Sequence, residues 1–195
     1  MFMKLIERLE NKEIDLSMEA IHKYLSQPDH MSSLESLRVK LEGNIYDTNK
    51  DMARFVLSKI EESKQSTREH RDLWEREENR LVWTIEHVFP EGQNIPDAWV
   101  QMIADGDRVE AKALQEQYVH SLGNLTLTGY NSTLSNMSFE KKNERMKDGK
   151  YVGYKNGLYL NRDLCQMSSW GIDDIKARNG RLVADAVELF KFDDE

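Results

Sequence analysis

The chain has 195 residues, of which 39% are apolar and 32% charged, with a formal net charge of −8. That describes a rather polar, soluble globular protein: one well-cored domain, or a small domain with a helical extension. The acidic balance argues against an indiscriminate nucleic-acid coat protein, because neutralising phosphates takes Lys and Arg. No apolar run approaches the roughly 20 residues that span a bilayer. The N-terminus lacks a secretory signal, so a cytoplasmic location is expected. The single cysteine, Cys165, rules out an internal disulfide and a Cys-x-x-Cys zinc site, and is expected to be a small buried residue.

In chain order, Leu5, Ile6 and Leu9 predict a short amphipathic helix, and Met18, Ile21 and Leu25 a second that ends at Pro28. Leu34, Leu37 and Leu41 predict a third, stopped by Gly43. Thr48-Asn49-Lys50-Asp51 resembles a capping box before a helix with Met52, Phe55, Val56 and Ile60 on one face. The charged stretch from Glu61 to Arg80 predicts a long exposed helix, or a linker followed by one. At Leu81 the character changes: Leu81-Val82-Trp83-Thr84-Ile85 predicts a strand. Helices are predicted over Pro96–Ala104 and over Asp107–Tyr118, with Asp107 as N-cap. Leu125-Thr126-Leu127-Thr128 predicts a second strand, Gly129-Tyr130-Asn131 a turn, and Ser138–Lys147 a helix. Gly149, Gly153 and Gly157 interrupt the next stretch, which has room for a short strand or hairpin. The last helix is predicted over Asp173–Phe190, with Ile175, Leu182, Val183, Ala186 and Phe190 inward. The fold class is therefore α+β and mostly helical, with a helical region over 1–80 and a second region over 81–195.

The residues suited to chemistry gather in the second region. Glu86-His87 ends the first predicted strand, His120 and Asn124 flank the second, and Asn131 and Asn136 follow the turn. Phosphodiester hydrolysis needs a base for water and a hard cation for the charge on the leaving oxygen. Magnesium takes carboxylate and amide oxygens, and a neutral imidazole serves as base. Oxygens of Glu86 and Asn131 with the imidazole of His87 suit these roles. Between Ser138 and Arg162 the chain carries a local excess of basic residues, among them Lys141, Lys142 and Arg145. Such a strip is compatible with phosphate contact, and a solvated helix face would look much the same.

Thr84-Ile85-Glu86-His87-Val88-Phe89-Pro90, His120-Ser121-Leu122-Gly123-Asn124-Leu125-Thr126-Leu127, and Asn131 with Leu134-Ser135-Asn136-Met137-Ser138-Phe139 and Lys142 resemble the C-terminal nuclease domain of GmrSD-type restriction endonucleases. Weaker similarity runs back through Arg54 to Ile60 and forward to Asn161, Arg162, Trp170, Ile175 and Arg178. The resemblance implies a small ββα-metal (His-Me finger, HNH) core with helical extensions, in a modification-dependent (type IV) anti-phage system. It implies His87 as general base, Glu86 as metal acid where relatives commonly carry Asp, Asn124 as the residue orienting the base, and Asn131 as metal ligand. His120 and Asn136 match the pattern as site or neighbouring residues, and Lys141, Lys142 and Arg145 as phosphate contacts. The expected cofactor is Mg2+, with Mn2+ as substitute, and the expected substrate is double-stranded DNA. A nucleotide-dependent sensor domain or subunit is implied, since no phosphate-cradling glycine motif occurs here. Pairing of two copies in a homodimer would let such an enzyme cut both strands.

Each of these residues also has a structural reading. Asn131 suits a helix N-cap, Asn124 an Asx-turn or backbone clamp, and Asn136 a turn. His120 suits packing. His22, His30 and His70 are expected in solvent, and Trp83, Trp99 and Trp170 in the core. Two other functions fit the same motifs: a catalytically inactive HNH scaffold that binds DNA or protein, and a nuclease directed at RNA. No aromatic-basic platform for stacking single-stranded bases is visible in the sequence.

Overall fold

The computed structural model describes the chain apart from residues 1, 28, 30–32, 67–69, 130–133, 135 and 192–195. Pro28, His30 and Asn131 thus lie outside the described residues. The chain divides into two compact units, Met1–Arg38 and Val39–Glu195, so the boundary expected near residue 80 falls inside the second. In the first, α1 (Phe2–Glu10) and α2 (Met18–Leu25) form where predicted. Ser17 caps α2, its hydroxyl accepting the Ala20 N–H at 3.2 Å. Leu5 and Tyr24 are buried, with the Arg8 guanidinium 5.5 Å over the Tyr24 ring. Helix α3 (Leu34–Glu42) stops at Gly43, as predicted.

The second unit continues with α4 (Ile45–Thr48) and α5 (Lys50–Lys64). Asn49, not Thr48, caps α5, accepting the Met52 N–H at 2.9 Å. The buried face of α5 also differs from the predicted one. Ala53, Val56, Leu57 and Ile60 are buried, whereas Met52 and Phe55 are each 39% exposed. Beyond Lys64 the expected long helix is absent among the described residues. A hairpin stands there instead, β1 (Arg76–Glu77) and β2 (Arg80–Leu81), turning on Glu78 and Asn79 with φ of 47° and 64°. The predicted strand Leu81–Ile85 is consequently split: Leu81 ends β2, and β3 is Thr84–His87.

Helices α6 (Asp97–Ala104) and α7 (Arg108–Tyr118) follow, the latter capped by the Asp107 carboxylate on the Val109 and Glu110 N–H groups. Strand β4 (Leu125–Thr128) pairs antiparallel with β3, His87 opposite Leu125 and Thr84 opposite Thr128. Helix α8 (Phe139–Asn143) is shorter than predicted. A second hairpin, β5 (Met146–Lys147) and β6 (Lys150–Tyr151), takes over its last residues, and α9 (Ile172–Phe190) closes the chain. No described helix is long and apolar enough to cross a membrane.

A two-stranded pair is marginal by itself. Here its free carbonyls are satisfied by buried side chains from other elements. Arg54 of α5 donates to the Trp83 carbonyl at 2.6 Å. Arg178 of α9 donates to Leu125 at 2.7 Å and also to Gly123 and Leu160. Asn161 donates to Leu127 at 3.2 Å and accepts from Thr126. Glu61, also on α5, accepts the Tyr159 and Leu160 N–H groups. Gly123 permits the close approach of α9: a Cβ there would lie 2.1 Å from the Ile175 carbonyl oxygen. Beside the pair, Phe89, Trp99, Phe139 and Trp170 form an aromatic core, with Phe139 and Trp170 stacked at 6.1 Å. Trp99 and Trp170 are buried as predicted, but Trp83 and Cys165 are only half-buried. His22 and His70 are exposed, as predicted.

Candidate active site

Adjacent residues on a strand point to opposite faces, and this separates Glu86 from His87. Glu86 faces α8. Its carboxylate lies 2.5 Å from the Lys142 ammonium and is 2% exposed. The Lys142 side chain is fully buried and also donates to the His87 and Val88 carbonyls at 2.7 and 3.2 Å, so its three N–H donors have three acceptors. The geometry departs here from the sequence expectation. Glu86 is not among the three residues whose ligand atoms gather at His87, and its carboxylate is paired with Lys142, which has no exposed surface for a phosphate.

His87 faces the other way. Its Nε2 lies 3.2 Å from Nδ1 of His120 and 3.7 Å from a carboxylate oxygen of Glu91. One ligand atom from each of these three residues lies within 4.8 Å of the others, a set able to hold a metal ion. Two of them were singled out in the sequence. Glu91 was not, and neither was Tyr46, whose ring stacks on His120 at 5.4 Å and meets His87 edge-on at 4.6 Å. The Tyr46 N–H also donates to the His120 carbonyl at 3.2 Å. The four-residue spacing from His87 to Glu91 is the only sequence signal for Glu91; Tyr46 has none.

The loop carrying Glu91 is held from two sides. Asn124, fully buried, accepts the Phe89 N–H at 2.8 Å and donates to the Phe89 carbonyl at 2.9 Å and to Val119 at 3.0 Å. Buried Gln115 donates to the Pro90 and Gly92 carbonyls at 2.7 and 3.0 Å. Asn136 is exposed and lies against Gly92, next to this loop. Lys141 is exposed on α8, and Arg145 is half-buried beyond it.

A model of the C-terminal domain of GmrSD restriction endonucleases matches residues 31–185. The chain belongs to that family. No curated protein and no solved structure gives a significant match. In this GmrSD C-terminal domain, of the residues of the weaker similarity, Arg54 is buried against the Trp83 carbonyl just before β3, and Asn161 and Arg178 are buried donors to β4. They serve the frame that presents His87.

Burial sets the protonation of the site. It pushes the His87 imidazole down to about 3, helped by His120, Lys142 and Lys50 nearby, so the ring is neutral at physiological pH. It also pushes the Glu86 carboxyl up to about 7, against the pull of Lys142. The His87 shift has a sign that can be measured. Between the unfolded value of 6.5 and about 3, the unfolded chain takes up a proton that the folded chain refuses. Stability is therefore expected to fall as pH drops from 6.5 toward 4, and His87→Gln is expected to flatten that decline in urea unfolding. An identical decline in the variant would mean that the imidazole is not buried in its neutral form.

Proposed function

We propose that this domain is a divalent-metal-dependent endonuclease of the HNH type that hydrolyses phosphodiester bonds in duplex DNA, as the cutting part of a restriction system. The convergence of His87, His120 and Glu91 at one end of the β3–β4 pair carries the reading. The succession of β3, β4 and α8, with Lys142 of α8 bonded to β3, supports an HNH-type ββα core.

In this reading His87 is the base. A hydrogen bond between two imidazole nitrogens needs one N–H and one lone pair. With His120 donating from Nδ1, the His87 Nε2 lone pair is held by that N–H at 3.2 Å, so His87 acts as base only when water takes the place of His120 at Nε2; Nε2 then accepts a proton from the water as its oxygen bonds to phosphorus and the P–O bond to the leaving strand breaks. His120 and Asn124 act as positioning residues, one through the ring and the other through the loop. Glu91 replaces Glu86 as the carboxylate that would hold the cation, and Asn131 keeps the ligand role implied by the resemblance. A bound divalent cation supplies charge stabilisation at the leaving oxygen. Oxygen donors with open positions fit Mg2+ or Mn2+. Targeting by a nucleotide-dependent sensor partner, pairing of two copies and a cytoplasmic location belong to the same proposal.

The same 4.8 Å spacing favours a second reading, in which His87, His120 and Glu91 all ligate one transition-metal ion. Plasmid nicking separates the two. The first predicts cutting in Mg2+ and in Mn2+, none in EDTA, and a loss of at least tenfold in Glu91→Gln. Activity restored by Zn2+ or Mn2+ alone, and lost in His120→Ala together with metal binding, would favour the second. Binding of DNA without cleavage under any metal would point to an inactive scaffold.

A further inference from the structure

The end of the β3–β4 pair away from His87 opens into a cleft of about 730 Å3. Arg71, Lys147, Lys150 and Lys155 line it against one carboxylate, Asp148, with Trp83 and Tyr151 as its aromatic walls. This is a cationic reversal in a chain that carries −8 overall. Both aromatics already hold a cation at their faces, Arg71 at 5.7 Å from Trp83 and Lys155 at 5.5 Å from Tyr151. The β5–β6 hairpin adds an independent observation. Its turn at Asp148-Gly149, with φ of 50° and 75°, places Lys147 directly opposite Lys150. Two basic side chains thus stand side by side on the hairpin that walls the cleft. Cations along a groove with π faces for bases are the composition that grips single-stranded nucleic acid.

We propose that this cleft holds an unpaired nucleotide of the DNA strand, its base against Trp83 and Tyr151 and its phosphates on Lys147, Lys150 and Arg71. Trp83 immediately precedes β3 and lies four residues before His87, roughly 13 Å along extended chain. At about 3.4 Å per nucleotide along a duplex strand, the gripped nucleotide lies on the order of four steps from the bond that is cut. The inference rests on the endonuclease reading for its substrate, and its test is separable from that reading.

The test is equilibrium binding of fluorescent DNA oligonucleotides to the full chain in EDTA, as single strand, as duplex, and as duplex with one unpaired nucleotide. Lys150→Glu and Tyr151→Ala change exposed hairpin residues, and melting temperature checks their fold. Each is expected to weaken capture of the single strand and the interrupted duplex at least tenfold, and of the paired duplex less than threefold. Lys147→Gln with Lys150→Gln is expected to lower the salt slope of binding by about two. Unchanged affinities and slope in folded variants would overturn the proposal, as would tighter capture of an RNA strand of the same sequence. Wild type that binds in this pattern but cuts nothing in Mg2+ or Mn2+ would keep the cleft and end the nuclease reading. Wild type that cuts, with hairpin variants of unchanged KM, would end the cleft alone.

Discussion

His87→Ala is expected to lower metal-dependent DNA cleavage by about 10²- to 10⁴-fold, the range a positioned general base supplies, while leaving the protein folded. The ring is 7% exposed, and its described side-chain contacts are with His120, Glu91 and Tyr46 at the site's edge. Lys142, which holds β3, and Asn124, which holds Phe89 just after it, bond to the Glu86 carboxylate and to main chain and not to the His87 ring. Removing the imidazole should therefore cost function far more than stability. Single-turnover cleavage beside a melting curve checks both halves. Loss of activity together with loss of folding would assign His87 a structural role instead.

Lys142→Ala is expected to do the reverse, destabilising the domain by about 3–5 kcal/mol, as when one partner of a buried ion pair is removed. The variant leaves the Glu86 carboxylate buried without its cation and the His87 and Val88 carbonyls without a donor. The Glu86 carboxyl, already pushed up to about 7, should then rise further. The variant should consequently lose stability as pH rises, because an acid whose folded value exceeds its unfolded one is penalised on ionising. Adding Glu86→Leu should recover much of the loss. Were Lys142 a phosphate contact instead, Lys142→Ala would weaken DNA binding and leave urea unfolding unchanged.

What the sequence made legible depended on how local the cause was. Helix α7 was readable because its cap, Asp107, and its period lie within the helix; β4 and α9 were readable for the same reason. The β1–β2 hairpin was not, since strands of two residues carry no period; for β5–β6 the glycines left room for a hairpin without fixing its strands. The Asp148-Gly149 pair was nonetheless a usable turn signal. The face of α5 was misplaced because Arg54 and Glu61 are buried as hydrogen-bonding anchors, which apolar periodicity cannot reveal. In the site, His87 and His120 stood in motif blocks, whereas Tyr46 arrives from a distant helix by tertiary packing alone. Glu86 was the instructive case. Strand alternation already sets it on the face opposite His87, and Lys142, 56 residues on, shows what that face is for. The cationic-aromatic cleft was equally hidden, because Trp83 and Tyr151 meet only through the fold.

The reaction centre is expected on the His87 face of β3 and not on the Glu86 face. A crystal soaked in Mn2+ and measured for anomalous scattering tests it most directly. An ion coordinated by a Glu91 carboxylate oxygen, with Lys142 still bonded to Glu86, is the predicted result. An ion coordinated by Glu86, with Lys142 displaced from it, would put the reaction centre on the opposite face.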